Sequence, residues 1–146
     1  MRPYIHKVQY YETDRMGVTH HANYVRWMEE ARIDFLNQIG FPYAAMEEAG
    51  IVSPVRSVSC VYLRSCTFDD EIEIAVSPLR MGGASLTLQY EMRNPRKDET
   101  VCTATSEHVF LDREGHILRL KRAMSDFWDA LLALLPEKDP AMGGEG

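Results

Sequence analysis

Little in this chain points to an oxidising compartment or to a membrane. It has only three cysteines, Cys60, Cys66 and Cys102. The number is odd and CxxC spacing is absent, which argues against a disulfide framework and against a cysteine-rich zinc site. All three read as buried, inert thiols. No apolar run approaches the roughly 20 residues of a membrane span. The start, Met1-Arg2-Pro3-Tyr4-Ile5-His6-Lys7, lacks the apolar segment of a signal peptide. Basic excess is missing too: 16 Lys and Arg stand against 22 Asp and Glu, a net charge of −6. That balance disfavours nucleic acid as the main partner, because neutralising phosphates needs a basic surface. It leaves room for a small phosphorylated ligand held by a few arginines. A cytoplasmic enzyme or binding protein is the expectation. One domain is expected over residues 1–136, followed by a disordered polar tail over 137–146.

What is present is periodicity of two kinds. Residues 4–12 alternate loosely and read as a first strand. Tyr24, Met28, Ala31, Phe35 and Ile39 then recur at helical spacing, and Val25, Trp27 and Leu36 widen the apolar surface. The pattern predicts a helix over 23–39, roughly 25 Å long, with Asn23 as N-cap, Gly40 just past its end and Pro42 beyond. A helix apolar on most sides must be wrapped by something else. A short helix is expected over 43–49.

After Gly50 the period changes to two. Val58, Cys60 and Tyr62 alternate, as do Ile72, Ile74 and Val76, then Leu86, Leu88, Tyr90 and Met92, and a run from Val101 to Leu111 completes the set. Turn residues separate these runs at Asp69-Asp70, Gly82-Gly83 and Asn94-Pro95. Short connections make the strands antiparallel. An amphipathic helix from Ser125 to Leu135 ends before Pro136. The class is therefore α+β, an antiparallel sheet of about five strands around one long helix, with a C-terminal helix. Its uncovered edge and face predict pairing with a second copy.

Chemistry concentrates where the first strand meets the long helix, in Tyr10-Tyr11-Glu12-Thr13-Asp14-Arg15-Met16-Gly17-Val18-Thr19-His20-His21-Ala22-Asn23-Tyr24. Asp14 leaves the strand, Gly17 allows a tight turn, and His21 stands near the first helical turn. That turn offers unpaired backbone N–H groups and a partial positive charge. A carboxylate beside such donors can attack or activate water while the N–H groups hold a developing oxyanion. His20 reads as a bystander. The adjacent histidines lack the i, i+4 face-sharing of a zinc motif, so no metal is expected. Glu29 and Arg32, at i and i+3, read as an ion pair.

The pattern Asp14-x-x-Gly17-x-x-x-His21-x-x-Tyr24, with Glu29-x-Ala31-Arg32 after it, resembles the signature of hotdog-fold acyl-CoA thioesterases. The group is the 4-hydroxybenzoyl-CoA thioesterase family, and within it the Tol-Pal-associated acyl-CoA thioesterase type. Residues 61–72 also resemble that family's second and third strands. There Ser65-Cys66 and Asp69-Asp70 replace the proline, aromatic and Gly-Asp common among relatives. The resemblance covers residues 4–130. It implies a hotdog fold, hydrolysis of an acyl-CoA thioester, no metal or other cofactor, and a homodimer or homotetramer with active sites between subunits.

Asp14, Gly17 and His21 are then the catalytic candidates. Asp14 would act as nucleophile or as general base, alternatives the sequence leaves open. Tyr11, Tyr24 and Arg64 are the substrate-binding candidates, with Tyr10 an alternative to Tyr11. Glu29 is the substitute carboxylate if Asp14 is not the one. Two other functions stand beside hydrolysis: a hotdog dehydratase or hydratase, whose usual His-Pro-Gly context is missing, and a non-catalytic acyl-CoA binding protein.

Overall fold

The computed structural model describes residues 1–136; the expected tail over 137–146 lies outside them. Strand β1 (Tyr4–Lys7) is followed by a short 3-10 turn (Tyr10–Glu12), helix α1 (Ala22–Gln38) and helix α2 (Tyr43–Glu48). Strands β2 (Val55–Tyr62), β3 (Glu71–Met81), β4 (Ser85–Asn94) and β5 (Glu99–Val109) come next. Short α3 (Leu120–Ala123) and α4 (Ser125–Leu132) are the last elements among the described residues. All pairings are antiparallel, in the order β1-β3-β4-β5-β2, so β1 and β2 are the edges.

Alternation explains which face of the sheet meets α1. Ile72 and Ile74 on β3 and Leu86, Leu88, Tyr90 and Met92 on β4 are buried, as are Cys102 and Ala104 on β5. Against them α1 lays Tyr24, Trp27, Met28, Ala31, Phe35 and Leu36. Each fully buried large apolar side chain contributes about 2 kcal/mol. Phe110, Phe127 and Leu131 extend the core to α4, with Phe127 tilted against Phe41 at 5.1 Å. Pro78, which cannot donate to a ladder, sits at the bulge of β3 and beyond the reach of β1.

Helix α1 stops as its sequence predicts. Gly40 has φ +89, its N–H donates to Asn37 O at 3.1 Å, and Phe41 N–H donates to Leu36 O at 2.9 Å. This is the paired closure that a left-handed glycine permits. Its start differs from expectation. The helix begins at Ala22, His21 is the N-cap, and Asn23 lies inside the first turn, buried, donating from Nδ2 to Glu12 O at 3.0 Å. The first strand is also shorter than residues 4–12. It ends at Lys7 because Glu12 folds back, its carboxylate accepting Gln9 N–H at 2.8 Å. The terminal helix ends at Leu132 rather than Leu135.

Two of the thiols, Cys66 and Cys102, are buried and Cys60 is half-buried. Burial, with Cys60 beside it, pushes the Cys102 thiol up to about 12, so it stays protonated and unreactive. Among the described residues no helix is long and apolar enough to cross a membrane.

Candidate active site

Residues 13–19 form a small hairpin between the 3-10 turn and α1. Thr13 bridges Thr19, Asp14 N–H donates to Val18 O at 2.9 Å, and Gly17 N–H donates to Asp14 O at 2.9 Å. Gly17 has φ +77, a left-handed conformation that favours glycine, and nothing lies within 4 Å of where a Cβ would stand. The Asp14 carboxylate is half-buried. It accepts Met16 N–H through Oδ1 at 2.8 Å, the turn contact typical of an aspartate. A β-bridge and three hydrogen bonds tie this hairpin to the segment after β2. Val18 bridges Thr67, Thr19 N–H and Oγ1 donate to Cys66 O at 2.8 and 3.1 Å, and Thr67 Oγ1 donates to Gly17 O at 2.7 Å.

Beside the hairpin lies an open groove of about 520 Å³, lined by Thr19, His21, Tyr24, Tyr62, Leu63, Arg64 and Ser65. Three of the predicted residues, His21, Tyr24 and Arg64, therefore meet there. Asp14 and Gly17 stand on the adjoining turn rather than in the groove wall. Tyr11 is 77% exposed and does not line the groove, and its neighbour Tyr10 packs edge-on against Phe68 at 5.7 Å. Nothing in the chain's own fold brings either tyrosine into the groove.

The groove floor is aromatic. Tyr24 and Tyr62 meet edge-on at 5.1 Å, and Tyr62 meets His21 edge-on at 6.1 Å. Tyr24 is buried with Oη 3.2 Å from Cys66 Sγ; burial, then Cys66, pushes its pKa up. Burial, then Cys60, pushes Tyr62 up to about 12. Both phenols stay protonated at neutral pH, and Tyr62 Oη donates to His21 O at 3.3 Å. Arg64 donates from Nη1 to Leu63 O at 3.0 Å and is otherwise exposed, a cation at the groove.

The helix start is more engaged than the sequence suggests. His20 is not idle: its ring stacks on His21 at 4.4 Å, and its Nδ1 accepts Ala22 N–H at 3.2 Å. Asn23 N–H donates to His20 O at 3.0 Å and Tyr24 N–H to His21 O at 3.2 Å. An oxyanion at this turn would have to share these donors, as bifurcated bonds at helix ends do.

Sequence reasoning missed the group directly behind this site. Glu12 is 4% exposed. Its Oε1 accepts Gln9 N–H and His6 Nε2, each at 2.8 Å, and its Oε2 accepts Trp27 Nε1–H at 2.7 Å. Burial would raise its pKa, but the bonds from Gln9, His6 and Trp27 outweigh it and hold the carboxyl below its ordinary value. The other ring nitrogen of His6 lies 3.1 Å from Glu30 Oε2. The Gln9-x-x-Glu12 spacing was the available signal, since a side chain that caps a turn reaches back three residues.

The other charged candidates are elsewhere. Glu29 Oε1 accepts Arg32 Nη2–H at 2.7 Å, the predicted i, i+3 pair, with Arg32 buried over the Tyr43 ring at 5.1 Å. Ser106 and His108 sit 2.7 Å apart like a hydrolase dyad, but both are buried, and Ser106 also meets Tyr90 Oη at 2.7 Å. Burial, then Arg32, lowers His108 to about 4. Asp112, Glu114 and His116 cluster on a surface turn, yet the Asp112 carboxylate already accepts two backbone N–H groups and faces the His116 ring.

A five-stranded antiparallel sheet packed on one long helix is the hotdog architecture. The chain belongs to the thioesterase-like superfamily, whose family model matches residues 8–138. Among curated relatives it is 32% identical over 88 residues to the acyl-CoA thioester hydrolase YbgC of Escherichia coli, covering 60% of this chain and 66% of that one. It is 27% identical to the 1,4-dihydroxy-2-naphthoyl-CoA hydrolase of Thermosynechococcus vestitus, over 76% of each chain. Among solved structures, the DHNA-CoA thioesterase of Staphylococcus aureus superposes with a TM-score of 0.85 at 30% identity, covering 90% of this chain and 89% of that one.

Proposed function

We propose that this chain hydrolyses an acyl-CoA thioester at the groove beside the 13–19 hairpin, with Asp14 as its reacting carboxylate. One observation carries this reading. Of the two carboxylates that flank Thr13, Glu12 is closed off by three donors, whereas Asp14 holds a single backbone N–H and is partly open to solvent. Only the second is both partly open to solvent and largely free of donors, so it can meet water or a carbonyl.

Asp14 would act in one of two ways. As general base it takes a proton from water, the hydroxide adds to the thioester carbon, and the C–S bond breaks. The departing thiolate then recovers the proton. As nucleophile it forms an acyl anhydride with loss of the thiolate, and water opens the anhydride. A thiolate leaves readily, so one carboxylate can serve without a full triad. His21 and the first-turn N–H groups face the acyl end, Gly17 keeps the approach open, and Tyr24 supports the groove floor. Arg64 supplies a cation for the CoA phosphates. Tyr11, remote from the groove of its own subunit, would touch substrate only across a subunit contact.

That contact has a natural place. Strand β2 is an edge, and Val55, Val58, Val61 and Tyr62 are all exposed along it. Unpaired edges with apolar side chains invite another strand. Pairing β2 with β2 of a second copy would also wall the groove, since Tyr62 belongs to both. Sedimentation should give a dimer or a tetramer of the chain; a monomer at micromolar concentration would sink the pairing. A cytoplasmic location fits the same reading.

The test of the reaction is thiol release from a panel of aliphatic and aromatic acyl-CoAs, with wild type and Asp14→Asn in parallel. Loss of turnover on the order of 10²- to 10⁴-fold in the variant is the expected result, with binding of the intact thioester retained. Turnover that survives would move the chemistry to another carboxylate. Saturable binding without turnover in the wild type would make the chain an acyl-CoA binding protein.

A further inference from the structure

We propose that Glu12 is a positioning residue for this hydrolysis, a buried carboxylate that sets both the turn carrying Asp14 and the aromatic floor of the groove. The proposal rests on the hydrolysis reading above.

Every polar group of Glu12 is engaged. Its N–H donates to Gln9 O at 3.0 Å, and its carbonyl accepts His20 N–H at 2.8 Å and Asn23 Nδ2–H at 3.0 Å. Its carboxylate takes Gln9 N–H, His6 and Trp27 as described. One residue thus joins the exit of β1, the base of the Asp14 hairpin and the first two turns of α1. The hairpin closes at Thr13 and Thr19, directly next to the bond between Glu12 O and His20 N–H. A shift of Glu12 would therefore carry Asp14 with it.

The second connection runs through rings. Trp27, fully buried, is fixed at Nε1 by Glu12 and packs against Tyr24 at 4.7 Å. Tyr24 meets Tyr62 at 5.1 Å, and both line the groove. On the other side of Trp27 lies His6, ring to ring at 4.6 Å and bonded to the same carboxylate. An unbroken ladder from His6 to Tyr62 so links Glu12 to the surface on which substrate would lie.

Glu12 itself cannot reach substrate, because it is buried, its oxygens are occupied, and the groove is lined by other residues. Nor is a carboxylate needed here merely to fill space: an apolar side chain of similar size would avoid the cost of burying a charge. What a carboxylate alone supplies is acceptors for three converging donors. An amide has one oxygen and one NH2, so glutamine would turn an N–H toward either Trp27 or Gln9.

The experiment compares kcat and KM for thioester hydrolysis in wild type, Glu12→Gln, Glu12→Asp and Trp27→Phe, with thermal unfolding on each. Glu12→Gln is expected to lower kcat by on the order of 10- to 100-fold, the effect of misplacing a reacting group. Its KM should stay within about threefold of wild type. Glu12→Asp should recover part of that loss, and Trp27→Phe, which keeps the ring ladder but drops one donor, should lose less than Glu12→Gln. A folded Glu12→Gln with wild-type kcat would overturn the proposal. If that variant does not fold, wild-type kcat in Trp27→Phe would overturn it in the same way. No thiol release by the wild type would overturn the hydrolysis reading and this one with it, whereas an active wild type beside unaffected variants would overturn this one alone.

Discussion

Helix α1 crosses two buried polar clusters, one at each end, and they are built to different standards. At its start Glu12, His6, Trp27 and Asn23 form a set in which each buried polar side chain has a partner. Further along, Arg32 lies near a chain running from Tyr90 through Ser106 to His108. There the bonds do not close. Tyr90 is pushed up to about 12 by burial and keeps its proton; its Oη lies 2.7 Å from Ser106 Oγ, which lies 2.7 Å from His108 Nε2. That leaves His108 Nδ1 and Arg32 Nε–H without a hydrogen-bond partner among the described residues. The closed cluster stands behind the Asp14 hairpin and the groove; the open one faces Leu36, Phe110 and Phe127 in the core. Full satisfaction fixes geometry, and this fold has it where a reacting carboxylate must be placed. The open cluster only fills the core beneath a sheet.

The largest contrast should come from emptying the closed cluster. Glu12→Ala removes a carboxylate from three donors, two of them on the buried side chains of His6 and Trp27. Stranding them should destabilise the protein by about 3–5 kcal/mol, the range for breaking a buried charged pair. Urea unfolding measures this directly. A loss below about 1 kcal/mol would mean that the donors find water and that the two clusters do not differ in kind.

The next prediction separates the clusters by pH. His108 is lowered to about 4 in the fold against its ordinary value of 6.5. The unfolded chain therefore takes up a proton here at a higher pH than the native one does, and stability falls as pH drops from about 6.5 to about 4. The upper bound on that loss is about 3 kcal/mol. Glu12 has the opposite sign of charge and a lowered pKa. Its contribution is full above the ordinary carboxylate pKa and is lost only as pH falls through its native value, below that range. Urea midpoints at pH 7 and pH 4.5 should thus drop for wild type and drop less for His108→Gln. An equal drop in the two proteins would show that His108 is not the group responsible for the acid sensitivity in this range.

The same two clusters mark how far the sequence could be read. Periodicity located α1 and every later strand, because alternation and the 3.6-residue repeat are properties of the burial pattern itself. Ile72, Ile74, Leu86, Leu88, Tyr90 and Met92 all face inward as their spacing implies. The groove was half legible: His21, Tyr24 and Arg64 converge there, while Thr19, Leu63 and Ser65 carry no pattern of their own. Residues 8–12 misread as strand because Tyr10 and Tyr11 favour one, and the Gln9-x-x-Glu12 spacing marks only the local fold-back of Glu12, not its burial. Its donors come from His6 and from Trp27, fifteen positions later, on a different element. Long-range hydrogen bonding of this kind leaves no periodic trace. The N-cap fell to His21 rather than Asn23, and His20 became an acceptor for Ala22 N–H, for a similar reason: both depend on how the hairpin meets the helix.

The smallest effect expected is at Tyr90. Tyr90→Phe deletes a hydroxyl 2.7 Å from Ser106 and leaves the ring in the core between β4 and α1. Ser106 keeps His108 as a partner at 2.7 Å, so no further buried donor is stranded. The cost should be that of one ordinary hydrogen bond, about 1 kcal/mol, with thioester hydrolysis unchanged. A loss of activity at constant stability would show that the open cluster does reach the groove, and the division between a positioning end and a packing end of α1 would fall.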